Sequence, residues 1–433
     1  MKLGCIADDF ISATDLALTL VRAGMRADLV IGLPNELLES DADAVVVVLN
    51  TRAFLIEKAV LHSISALCWL HAQGAQQIYL NYCSSHASSA LGSVGPVTEA
   101  LMDALADKPG GDFTITTPAF PRNKHSVING YLFVDGVLIH ECGTQASTII
   151  PTADSNLVRV LQAQCLRKVG LIDYKVVAQG PQAIRARIGQ LRADGVGMAV
   201  VDAISDSDLM KLGPVLKGMP LVAAGSGLAI GVPANFGIAP STSTAELPPA
   251  IGFQAVISRS SSPTTEQQIT AFIKSGQPAL EIDLVRMAIM ETEGEDGVAE
   301  VLSWAEPLLI KGPLLIYLTS DKCPSKSGQS KLAAQAADAF AERIIGAVAL
   351  GLALRGVGQL IVVGSETLTA CVHALNIKTM KFGHQIEPKL PWCYALSVAA
   401  PNGGLHLTLK PCDFGTEDFF SDAFTKCHDQ VQV

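Results

Sequence analysis

At 433 residues the chain is too long for one compact core and predicts two domains. With 49% hydrophobic and 17% charged residues it has ample material for a core. Its net charge of −10 argues against nucleic acid and acidic membrane surfaces as partners, because both select basic faces, while leaving room for a small anionic substrate.

Lys2 to Ala7 reads as a short apolar strand, and from Thr14 the spacing of Leu16, Leu18, Leu20 and Val21 predicts a helix. Asp8 and Asp9 stand at the handover between them. Ligands of open α/β sheets bind outside the carboxyl ends of the strands, so this crossover is a candidate site by position. Two adjacent acids there can orient a hydroxyl, accept its proton or hold a metal, and an aspartate can equally serve as a helix cap. Further strands are predicted at Ala27–Ile31, Ala44–Leu49, Gln77–Tyr82, Phe113–Thr117, Lys168–Ile172, Gly197–Val201 and Pro220–Ala223. Between them lie helices at Glu57–Gln73, Val97–Ala106, Asn156–Gln164 and Ala183–Ala193, and a hairpin turning at Asp135-Gly136. These short apolar strands suit a parallel sheet covered on both faces.

From Gly231 to Gly252 the chain is rich in Pro, Ser and Gly without periodicity, which predicts a linker at 236–252 between domains 1–235 and 253–433. The second domain alternates again: strands Gln254–Ser258, Pro313–Leu318 and Leu360–Val363, helices Thr265–Ser275, Ala333–Leu354 and Thr367–Leu375, and closing strands Trp392–Val398 and Leu405–Leu409. The apolar run Ile344–Leu354 is bracketed by Arg343 and Arg355 and is well short of the ~20 residues a membrane span requires. The ten cysteines are spread singly with no C-x-x-C pair, so neither a disulfide framework nor a zinc site is expected. Cys5, Cys68 and Cys371 are expected as small core residues. No cleavable apolar leader is read at the N-terminus, and a cytoplasmic protein is expected.

Several loops at strand ends carry candidate chemistry. Arg52, after Ala44–Leu49, can clamp a carboxylate bidentately or pair with an acid at the surface. The turn Ala224-Gly225-Ser226-Gly227 offers backbone N–H groups to an anion, although close strand–helix packing needs small residues too. Gly364-Ser365-Glu366-Thr367 follows an apolar strand and opens a helix, a geometry that cradles phosphate. Lys410 can meet a phosphate as a point charge.

Residues 7–15, Ala-Asp-Asp-Phe-Ile-Ser-Ala-Thr-Asp, resemble the A-D-D-F-T-G-A-T-D opening of the four-carbon acid sugar kinase family, with Ile11 and Ser12 for Thr and Gly. Asn50-Thr51-Arg52 is similar to its K-[ST]-R, and Asn81-Tyr82-Cys83-Ser84-Ser85-His86-Ala87-Ser88-Ser89 to its K-Y-C-S-T-F-D-S-T. Pro118–His125 resembles P-A-F-P-x-N-G-R, with Lys124-His125 standing for Gly-Arg as candidates to replace lost charge. Gly225-Ser226-Gly227 matches G-S-G of G-G-S-G-L-A. In the second domain Ser258–Ser262 is similar to S-G-S-C-S with Arg259 for Gly, and Gly364–Thr369 to G-G-E-T-S-G with Ser365, Leu368 and Thr369 as departures. Leu409–Gly415 is similar to L-K-S-G-N-F-G with Pro411 and Cys412 for Ser and Gly.

The resemblance covers nearly the whole chain. It implies two α/β domains, an N-terminal, mainly parallel-sheet substrate domain and a C-terminal nucleotide-binding domain. It implies ATP-dependent phosphorylation of a small anionic four-carbon sugar acid, such as a 3-oxo-tetronate, with Mg²⁺ accompanying ATP and no dedicated metal ligands. Asp8 and Asp9 would then be catalytic. Arg52, Asn81, Tyr82, Ser84, Asn123, His125, Gly225 and Ser226 would bind substrate. Ser258, Ser260, Gly364, Ser365, Glu366, Thr367 and Lys410 would bind nucleotide. A homodimer is compatible with this reading. Arg259, Ser365, Pro411 and Cys412 add bulk or fix backbone where N–H groups should meet phosphate, and are expected to weaken ATP binding. The alternative is a degenerate relative that binds a metabolite or partner without transferring phosphate.

Overall fold

The computed structural model describes residues 1–34, 36–38, 40–49, 51, 55–82, 92–142, 154–241, 246–260, 262–318, 331–387 and 390–428. The chain divides into two compact units, Met1–Ala245 and Glu246–Val433.

In the N-terminal unit the strands are β1 (Leu3–Ala7), β2 (Ala27–Ile31), β3 (Ala44–Val48), β4 (Gln77–Asn81), β5 (Thr114–Thr116), β6 (His125–Ile128), β7 (Tyr131–Val134), β8 (Val137–Leu138), β9 (Lys168–Ile172), β10 (Val196–Val201) and β11 (Leu221–Ala224). The main sheet is parallel, in the order β11-β4-β1-β3-β2. β1 and β3 are buried at every residue, as expected of central parallel strands. β2 and β3 lie on one side of β1, and β4 and β11 on the other. The carboxyl end of β1 therefore sits where the strand order reverses, the crevice in which such sheets bind ligands.

Three predicted strands leave this sheet: β5, β10 and β9 form a separate parallel one. A third, antiparallel sheet holds β6, β7 and β8. The turn between β7 and β8 has positive φ at both Asp135 and Gly136, the hairpin geometry that matches strand twist.

The first helix, Phe10–Arg22, begins one turn earlier than its apolar spacing suggests. The reason is local: Asp9, extended at φ −151°, accepts from the Ser12 N–H and satisfies the first turn. Cys5 and Cys371 are buried as expected, whereas Cys68 is exposed, on the outer side of helix Ile56–Ala72.

The C-terminal unit holds β12 (Phe253–Arg259), β13 (Ala279–Glu281), β14 (Leu314–Leu318), β15 (Val357–Val363), β16 (Thr379–Glu387), β17 (Leu390–Leu396) and β18 (Gly404–Lys410). Their order is β16-β17-β18-β15-β12-β14-β13. The five strands from β18 to β13 are parallel, and β17 and β16 extend the sheet as an antiparallel hairpin. Trp392, Phe272, Phe419, Phe420 and Phe424 fill the core on one side, with the Trp392 indole N–H donating to the Ala423 carbonyl at 3.0 Å. The helix Lys331–Leu354 buries Ile345, Val348, Ala349 and Leu352. Among the described residues no helix is long and apolar enough to cross a membrane.

Candidate functional site

The chemistry of the N-terminal unit gathers at the carboxyl ends of β1, β3, β4 and β11. Asp8 stays in register with the sheet beyond the last strand residue: its N–H donates to the Asn81 carbonyl (3.3 Å) and its carbonyl accepts from the Thr51 N–H (2.9 Å). Asp8 and Asp9 are 9% and 7% exposed. Their carboxylates diverge in use. Asp9 caps the helix, at 2.7 Å from the Ser12 nitrogen, while Asp8 Oδ1 accepts from the Ser12 hydroxyl at 2.9 Å.

Ser12 is the residue that sequence reasoning undervalued. Its carbonyl accepts from Asn81 Nδ2 (2.7 Å) and from the Ser226 hydroxyl (3.2 Å), and Ser226 also lies 3.3 Å from Asn81 Oδ1. Two positions that depart from the family pattern, Ser12 and Asn81, are thus bonded to each other, with Asn81 fully buried beneath the acids. The Tyr79 hydroxyl donates to the Gly225 carbonyl at 2.6 Å, and the buried Tyr82 hydroxyl bonds Thr116. Burial pushes the Tyr82 phenol up, against the pull of that hydrogen bond. A small cavity lies against Asp8, Thr51, Asn81, Tyr82 and Ser93.

Gly225 and Ser226 open only a short 3-10 helix, Ser226–Gly231. Gly227 is glycine for packing, since a Cβ there would meet the Ala119 carbonyl at 2.4 Å. Asn123 reaches Asp15 of the first helix, its Nδ2 3.4 Å from Oδ2. His125, half-buried, starts β6 and exchanges backbone bonds with Phe120. Lys124 pairs instead with Asp135 at 2.8 Å, both largely exposed, so its charge is engaged at the surface. Arg52, Ser84 and the side chain of Ser365 lie outside the described residues.

In the C-terminal unit three loops meet. Register places Ser258, Val363 and Lys410 side by side across β12, β15 and β18, so the residues that follow share one edge. Gly364 caps helix Ser365–Ala374 at φ +99°, where L side chains are strained. A Cβ on it would stand 3.0 Å from the Arg259 carbonyl, 3.3 Å from Thr367 Oγ1 and 3.7 Å from Cys412 Sγ. Those three atoms, one from each loop, stand close around Gly364, so that a side chain there would be tight against them. The Ser258 and Thr367 hydroxyls, on residues 0% and 1% exposed, have no hydrogen-bond partner among the described residues. Buried hydroxyls in folded proteins are normally satisfied by protein, ordered water or a ligand, so these two are candidates to meet one.

Lys410 is almost wholly buried, its ammonium 3.1 Å and 3.2 Å from the Pro411 and Cys412 carbonyls and over the Phe420 ring. Burial pushes it down to about 8, against the opposing pull of Cys412, Asp413 and Glu387. The Ser262 and Thr265 hydroxyls also donate to the Cys412 carbonyl, each at 2.7 Å, tying the Lys410 loop to helix Pro263–Lys274. Ser260 Oγ accepts from the Ser262 N–H at 3.2 Å. Arg259 forms an ion pair with Asp338 of helix Lys331–Leu354. Glu366 lies exposed in the first turn after Gly364.

Comparison with known proteins assigns each unit. Residues 3–232 match the sugar-binding N-terminal domain and residues 255–420 the nucleotide-binding C-terminal domain. The chain is 42% identical over 426 residues to a 3-oxo-tetronate kinase of Pseudomonas fluorescens, covering 97% of this chain and 96% of that one. It is 43% identical over 425 residues to the 3-oxo-tetronate kinase of Burkholderia multivorans, with the same coverage. Its fold is similar to a Salmonella typhimurium LT2 crystal structure provisionally named a tRNA synthase (TM-score 0.85, 34% identity, 98% and 99% of the two chains). A Haemophilus influenzae structure is similar at TM-score 0.80 and 32% identity, again over 98% and 99%. With both domains matched and identity sustained over nearly its full length, the chain belongs to the four-carbon acid sugar kinase family.

Proposed function

We infer that this protein is an ATP-dependent kinase of a four-carbon sugar acid, with a 3-oxo-tetronate as its substrate. The observation that carries the nucleotide half of this reading is the cradle at Gly364, where three loops meet on a glycine backbone and the buried hydroxyls of Ser258 and Thr367 have no partner among the described residues. The phosphates would lie against the first turn of helix Ser365–Ala374, whose free N–H groups and dipole favour negative charge, with Lys410 close behind.

In this reading the N-terminal unit holds the sugar acid. Asp8 accepts the proton of the acceptor hydroxyl as its oxygen attacks the γ-phosphorus. The bond from that phosphorus to the β–γ bridging oxygen breaks, and ADP leaves with the electron pair. Asp9 serves mainly to start the helix that presents Ser12 to Asp8. Most of the acceleration comes from alignment and charge neutralisation.

Among the described residues no three His, Cys, Asp or Glu side chains are grouped to hold a metal. Mg²⁺ in phosphoryl-transfer sites is held largely by phosphate oxygens and water with one or two carboxylates, so an ion accompanying ATP needs no dedicated protein cage. Bound there, Mg²⁺ would neutralise charge on the β- and γ-phosphates. A homodimeric, cytoplasmic enzyme completes the proposal, and sedimentation of the purified protein tests the first of these.

The reading is tested by ADP release from ATP with and without 3-oxo-tetronate, alongside calorimetric ATP binding. Turnover that requires the sugar acid is expected. Tight ATP binding with no turnover of any four-carbon sugar acid would instead support the non-transferring alternative.

A further inference from the structure

Arg259 stands where the family pattern has glycine, and its bulk by itself predicts an obstruction to phosphate. Its side chain is anchored through Nη2 to Asp338 of helix Lys331–Leu354. The fork has two ends, however, and Nη1 is buried with no partner among the described residues. It is the third such atom in this neighbourhood, after the hydroxyls of Ser258, its immediate neighbour, and Thr367. Its backbone carbonyl forms one wall of the cradle, 3.0 Å from the position of a Gly364 Cβ. Glu342 of helix Lys331–Leu354, its carboxyl raised chiefly by its own burial, feels the charges of both Arg259 and Glu366. A buried guanidinium N–H left unpaired is unfavourable, and a planar fork with one arm fixed is suited to a phosphate oxygen on the other.

We propose that Arg259 is a phosphate ligand that this chain has added to its nucleotide site: Asp338 anchors one arm of the guanidinium, and Nη1 donates to a phosphate oxygen seated over Gly364 between Ser258 and Thr367. One side-chain donor thereby compensates for backbone N–H contacts altered elsewhere in the three loops. The inference rests on the nucleotide reading of the C-terminal unit, and Asp338 is its positioning residue.

Titration calorimetry of the full chain with ADP, AMP and inorganic tripolyphosphate tests it, with thermal melting as a check on folding. Arg259→Gly and Arg259→Gln are each expected to weaken ADP and tripolyphosphate binding by about 10- to 100-fold, and AMP binding far less. Arg259→Gln keeps the bulk of the side chain and serves if the glycine variant does not fold. Unchanged or tighter ADP binding by these variants overturns the inference and leaves the nucleotide reading intact. So does a double variant, Arg259→Gln with Asp338→Asn, that recovers ADP affinity, since the arginine would then act only by neutralising Asp338. Failure of the unaltered protein to bind any of the three ligands overturns the reading and the inference together.

Discussion

The polar groups at the end of β1 are matched to each other, whereas at the ends of β12 and β15 several have no partner among the described residues. In the N-terminal unit Asp9 caps, Asp8 accepts from Ser12, and Asn81 and Ser226 converge on one carbonyl. In the C-terminal unit the Ser258 and Thr367 hydroxyls and one arm of Arg259 are buried without partners among the described residues. The first arrangement is preorganised by folding itself. The second leaves groups buried and unpaired, at about 1–3 kcal/mol each, and an anion that bonds them regains that energy on binding. Substitutions in the two units should therefore fail in different ways: stability in the first, affinity in the second.

The largest effect is expected at Asp8. Asp8→Asn should lower turnover by about 10²–10⁴-fold while leaving ATP affinity within about twofold. Steady-state kinetics beside calorimetry checks this, and loss of ATP binding with turnover would break the division of labour. Gly364→Ala should impair both properties, because φ +99° is strained for alanine and its Cβ would stand against the Arg259 carbonyl. A stability loss of about 1–3 kcal/mol in urea unfolding is expected, together with weaker ATP binding.

The sharpest contrast pairs Asn81→Ala with Thr367→Val. Removing Asn81 takes its shorter hydrogen bond from the buried Ser12 carbonyl and a second contact from Ser226, and should destabilise by about 1–3 kcal/mol. Thr367→Val removes a hydroxyl that bonds no group among the described residues, so melting should hold or rise while ATP affinity falls about tenfold. Equal destabilisation by the two would contradict the comparison.

The mildest effect is a pH dependence at Lys410, held down to about 8 by burial. Its ammonium form attracts phosphate, so ATP affinity should be greatest below pH 8 and fall by at most about tenfold per pH unit above it. Stability has the opposite sign. The folded-state value is depressed, so between about 8 and an unfolded value near 10.4 the folded chain binds fewer protons, and stability rises with pH across that window. Lys410→Met should flatten both curves, in calorimetry and in melting followed from pH 7 to 10.

The sequence by itself determined the α/β class and most element positions, because apolar runs such as Ala44–Val48 and Val357–Val363 are local signals that burial on both faces makes continuous. It also marked the strand ends at Asp8, Gly225, Gly364 and Lys410, since turn residues after apolar runs are legible without tertiary context. Less regular patterns were lost: β16 interrupts its apolar residues with Lys381, Gly383, His384 and Gln385, and β13 is only three residues long. What each strand-end residue does was decided by tertiary contact. Asn81 meets Ser12 across 69 residues of chain, and Thr265 meets Cys412 across 147. Arg259 is another such case: it stands in place of a family glycine, and its ion-pair partner, Asp338, is 79 residues away. Register and packing alone settle which hydroxyls find partners and which are left for a ligand, because hydrogen bonds between distant segments depend on distances that no local pattern encodes.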